Sequence, residues 1–101
     1  MGIDARTQGE RGDIIAELLD PRSLVPRLIA AASEATVCLR FVDRYGDTYF
    51  NQLQIPVLLE ELHDVLDACR DSEVRAHGEH LLKLVTSALN QTHTYVCFIG
   101  D

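Results

Sequence analysis

The chain has 101 residues, 47% of them apolar and 25% charged, which supports one hydrophobic core and excludes a disordered or collagen-like chain. Sixteen acids against nine Lys and Arg give a formal charge of −7. That balance repels nucleic acid phosphates and anionic lipid, so neither nucleic acid nor membrane is expected as a partner and a basic protein is.

From the N-terminus, residues 2 to 7 alternate weakly, with Ile3, Ala5 and Thr7 on one side and Asp4 and Arg6 on the other. Gly9-Glu10-Arg11-Gly12 can turn the chain back, and residues 13 to 19 then read as a returning strand, although Asp13 also suits a helix cap before IIAELL. Asp20-Pro21 marks a break. Ser23 is placed to cap a short helix with Pro26 in its first turn, where a missing N–H costs little. Leu24, Val25, Leu28, Ile29 and Ala32 supply its apolar face.

The stretch 37 to 54, VCLRFVDRYGDTYFNQLQ, reads as a hairpin at the centre of the sheet. Val37, Leu39 and Phe41 alternate with Cys38, Arg40 and Val42, the two-residue period of a strand. Asp43-Arg44-Tyr45-Gly46-Asp47 has turn chemistry, and Thr48 to Gln52 forms the second strand, with a bulge or the strand's end near Gln52 because Phe50 and Leu53 differ in parity. Pro56 then opens a helix running to about Arg70. Leu58, Leu59, Leu62, Val65, Leu66 and Cys69 make a continuous stripe on it. Asp71-Ser72 caps a second long helix, 73 to 89, with Val74, Leu81, Leu84, Val85 and Ala88 buried. The last strand, 94 to 99, must pair within the sheet and is expected beside the hairpin.

The fold expected is a single α+β domain over residues 1 to 101. It is a mainly antiparallel sheet of about four to five strands with two to three helices packed on one face, in the order β-β-α-β-β-α-α-β. Cys38, Cys69 and Cys97 are odd in number and far apart, without zinc-site spacing, and read as reduced thiols. No run approaches the roughly eighteen apolar residues of a membrane span. MGIDARTQGERGD lacks a signal-peptide core, and Arg6 stands where a myristoylation signal wants Ser or Thr. A cytoplasmic location is expected.

The clearest surface signal is on the helix from Pro56. At 100° per residue Glu60, Asp64, Asp67 and Asp71 project in one narrow sector opposite the leucine stripe. Like charges four apart repel, and Asp67 and Asp71 also lie at the negative end of the helix dipole, so stability alone would not select them. They read either as a docking face for a basic partner or as the solvated face of an acidic protein. In the turn, Arg44 and Tyr45 are residue types that anchor interfaces. Asp43 and Asp47 do not fit a calcium loop. His77 and His80 lack the spacing of a zinc-protease helix, and His77 beside Gly78 reads as a packed histidine. No phosphate loop or Ser-His-Asp signature is present, and Cys38 and Cys97 sit among apolar residues that raise a thiol's pKa. No cofactor or metal is implied.

The segments CLRFVDRYGDTYFNQLQIPVLLEEL and THTYVCFIGD resemble a group of small bacterial α+β proteins, over about half of the chain, and the resemblance carries no catalytic residue. Size, acidity and strand-helix alternation are similar in kind to immunity proteins of bacterial toxin systems. The resulting expectation is a non-enzymatic binding module, of the immunity or antitoxin-like kind, covering a basic partner surface with Glu60, Asp64, Asp67 and Asp71, helped by Arg44 and Tyr45. The alternatives are a small metal-dependent enzyme using Asp43, Asp47 and a histidine, and a homodimer formed through the free sheet face or the edge at residues 1 to 18.

Overall fold

The computed structural model describes residues 2–100. Strands β1 (Asp4–Gly9) and β2 (Ile14–Leu18) are followed by helix α1 (Leu24–Ala30), a single 3₁₀ turn (Leu39–Phe41), strand β3 (Asp47–Phe50), helices α2 (Ile55–Ala68) and α3 (Ser72–Ala88), and strand β4 (Thr94–Ile99). The four strands form one antiparallel sheet in the order β2-β1-β4-β3. The α+β class, the antiparallel sheet and the helical layer on one face are as the sequence predicts.

The sheet is centred differently, however. β4 lies between β1 and β3, with Arg6 opposite Cys97 on one side and Tyr49 opposite Cys97 on the other. β3 is an edge strand, and residues 37 to 42 are not a strand. Alternation is misleading there because the buried positions are Cys38, Leu39 and Val42, while Val37 and Phe41 are each 60% exposed. That is the spacing of a tight helical turn, in which Phe41 N–H donates to Cys38 O and Val42 N–H to Leu39 O. The second strand ends at Phe50, which leaves Leu53 outside the sheet and exposed.

The returning strand at Ile14–Leu18 is confirmed, and Gly12 supplies the positive φ of 85° that turns the chain into it. A register irregularity falls between Thr7 and Gln8, which pair with Ala16 and Ile14 and leave Ile15 over. Ile3, Ala5, Val96, Phe98 and Phe50 meet the helices in one buried cluster with Leu58, Leu62, Leu81 and Val85. Phe50 and Phe98 stack edge to face with centroids 5.9 Å apart. Burying each such side chain contributes roughly 1.5–3 kcal/mol, so this layer holds most of the fold.

The three helices converge at Gly78. A Cβ there would stand 2.5 Å from Leu66 Cδ2 and 3.2 Å from Leu28 Cδ2, so any larger residue must push these two side-chain ends aside for α3 to stay this close to α1 and α2. His77 is partly buried beside it, with a side chain 13% exposed, on the side its place on the helix wheel implies.

Ser23 does not cap α1. It takes φ 56° and ψ 43° and makes no side-chain bond to the helix. Asp20 does this work from further back: Oδ1 accepts from Leu24 N–H at 2.7 Å and Oδ2 from Val25 N–H at 3.0 Å. Its Oδ2 also accepts from Ile3 N–H at 3.0 Å, which ties the start of the sheet to the start of α1. The only buried carboxylate among the described residues therefore accepts three backbone N–H bonds.

Candidate interaction surface

α2 carries Glu60, Glu61, Asp64 and Asp67 and no lysine or arginine. Its other side is fixed to the core by Ile55, Leu58, Leu62, Val65 and Leu66, so the helix cannot roll to hide its acids. Glu60, Asp64 and Asp67 are exposed. None of them forms an ion pair or side-chain hydrogen bond among the described residues, whereas Arg6, Arg22, Arg27 and Arg75 are engaged with Glu17, Glu73, Asp71 and Glu79. Repulsion of a few tenths of a kcal/mol per like-charged pair is thus left uncompensated on this face.

Asp71 does not belong to the row. α2 stops at Ala68, and Cys69 turns to an extended φ of −76° and ψ of 126°, which carries Asp71 off the helical sector that its spacing predicts. There it is the N-cap of α3, accepting from Glu73 N–H at 3.0 Å and Val74 N–H at 3.1 Å, and it pairs with Arg27. The Val74 N–H, joined by Arg27 and the Glu73 N–H, holds its carboxyl below the ordinary range against a partial desolvation. Both of its roles are structural.

Arg44 and Tyr45 sit in the turn before β3, and Tyr45 is 81% exposed. The turn is braced by Asp43, which receives Tyr45 N–H at 2.9 Å, and by Gly100, whose N–H donates to Gly46 O at 2.8 Å. Asp43 therefore works as a turn residue. No hydrogen bond or ion pair joins this turn to Glu60, Asp64 or Asp67 among the described residues.

Glu61, which sequence reasoning passed over, is the most heavily used acid on α2. Oε1 accepts from Cys38 N–H at 3.1 Å and Leu39 N–H at 2.9 Å, and Oε2 from Val37 N–H at 2.7 Å. One carboxylate thus satisfies the backbone that would otherwise need a neighbouring strand. The signal for it was faint: an acid at the edge of the leucine stripe, one turn before Val65.

Burial pushes the Cys38 and Cys97 thiols up, with nearby Glu61 adding to the effect at Cys38, the opposite of what a nucleophile needs. Among the described residues no group of three or more His, Cys, Asp or Glu is placed to share a metal ion, and no helix is long and apolar enough to cross a membrane. No family model, curated protein or solved structure matches this chain.

Proposed function

We propose that this protein is a non-enzymatic binding module, of the immunity or antitoxin-like kind, that occludes a basic surface on a protein partner. The unpaired, outward row Glu60, Asp64 and Asp67 on a helix locked to the core carries this reading. A rigid row of like charge steers a complementary partner and disfavours acidic ones. Arg44 and Tyr45 form a separate exposed contact at the β3 turn, and Asp71 leaves the binding set. Three free thiols fit a cytoplasmic location.

The test is charge reversal. A Glu60→Lys/Asp64→Lys/Asp67→Lys variant should melt no lower than the parent and lose the basic partner recovered from the native host by the tagged parent. Equal recovery of that partner by the variant would refute the reading.

A homodimer is a second reading, favoured by the β2 edge. Ile14, Ile15 and Leu19 are 52%, 47% and 57% exposed there, and the strand has no lysine or proline to block pairing. Light scattering at two concentrations tests it: a mass that stays at the monomer value rules it out.

A further inference from the structure

A groove of ≈ 240 Å³ runs beside the acidic row, between α2 and the end of α1. Glu61, Asp64, Val65 and Ala68 stand at three- and four-residue spacing and so form one stripe of α2. Ala31 and Ala32 face them from the other wall. The gap exists because small side chains occupy both sides, and its floor is apolar while its rim carries two carboxylates.

The polar groups of this groove have unused capacity. Asp64 has no hydrogen-bond or ion-pair partner among the described residues. Glu61 spends three of its roughly four acceptor sites on the Val37, Cys38 and Leu39 N–H groups.

We propose that the groove seats an arginine side chain of the basic partner, an inference that rests on the acidic-face reading and gives that partner its chemistry. The methylene stem lies on Ala32, Val65 and Ala68, and the guanidinium meets Asp64 and the remaining acceptor position of Glu61. Arginine fits better than lysine because its fork of five donors can serve several oxygens at once and is more weakly hydrated, so it enters an apolar-floored site at lower cost.

The experiment is a nitrogen-15 NMR titration of the full chain with a capped peptide carrying two arginines separated by glycine, against the same peptide with citrulline. The arginine peptide should shift the amides of Ala32, Thr36, Val65 and Ala68 saturably, and the citrulline peptide should not. Asp64→Asn should weaken this binding by about tenfold. Ala68→Phe, which fills the groove and keeps every charge, should abolish the groove shifts while its melting temperature stays that of the parent. Shifts confined to the Glu60 and Asp67 amides and unchanged in Ala68→Phe would overturn the groove and leave the acidic face standing. No shift at either place would also overturn the groove, and the acidic face would then rest on the triple lysine variant alone.

Discussion

Leu39 donates its backbone N–H to Glu61 Oε1 at 2.9 Å, across 22 residues of sequence. Val37 and Cys38 donate to the same carboxylate, so a single side chain on α2 takes the place of a strand for this segment. Residues 37 to 39 have strand-like composition and no strand beside them.

Glu61→Ala should therefore cost about 2 kcal/mol, because the N–H groups of Cys38 and Leu39 lose their acceptor in a partly buried setting. Urea denaturation measures the cost, and amide exchange at residues 37 to 39 should accelerate more than elsewhere. Glu61→Gln, which keeps one acceptor oxygen, should fall between the two.

Asp20→Ala should cost more, about 3 kcal/mol or above, since it strips the acceptor from the Ile3, Leu24 and Val25 N–H groups together. His77 Nε2 stands 3.6 Å from Asp20 Oδ1, beyond a hydrogen bond. A loss below about 1 kcal/mol in thermal or urea unfolding would show that this node does not fasten the sheet to α1.

Asp67→Asn should stabilise the isolated protein by about 0.5 kcal/mol, by removing a like-charge contact with Asp64 and a negative charge from the last turn of α2. The same change should weaken capture of the basic partner. Opposite signs in unfolding and binding assays are what a face kept for recognition produces.

Asp71 sets part of the acid sensitivity. Its folded-state pKa is depressed, chiefly by the Val74 N–H and then by Arg27 and the Glu73 N–H, so as pH falls the unfolded chain takes the proton first. The stability it contributes is complete above the ordinary carboxylate range and is lost as pH falls through the lower folded value. Asp71→Asn should accordingly be less stable at neutral pH and show a shallower decline below about pH 4, read by melting temperature against pH.

The thiols should react in order of access. Cys69 is partly exposed, whereas Cys38 is 3% and Cys97 0% exposed, and both buried thiols are pushed up by desolvation. Maleimide at pH 8 should label Cys69 alone in the native protein and all three after unfolding, counted by intact mass.

The elements legible in the sequence were those whose pattern is local. The stripe on α2 and the buried face of α3 follow from three- and four-residue spacing, and the β1–β2 hairpin from Gly9 and Gly12 between alternating residues. Asp71 was legible as the α3 cap but also counted in the α2 row, because wheel geometry does not show where a helix stops. Ser23 looked like a cap by residue type, while the donors at the start of α1 were already served by Asp20.

Sequence alone determined the class of fold, the buried side of each long helix and the outward direction of Glu60, Asp64 and Asp67, since all three depend on periodicity within one element. Tertiary structure decided that β4 lies inside the sheet, that residues 37 to 42 form a turn on Glu61, that Asp71 is held by Arg27, and that small residues leave a groove beside Asp64. Each of these depends on which distant backbone or side-chain group satisfies a hydrogen bond or fills a space, and periodicity along one segment carries no record of its partner.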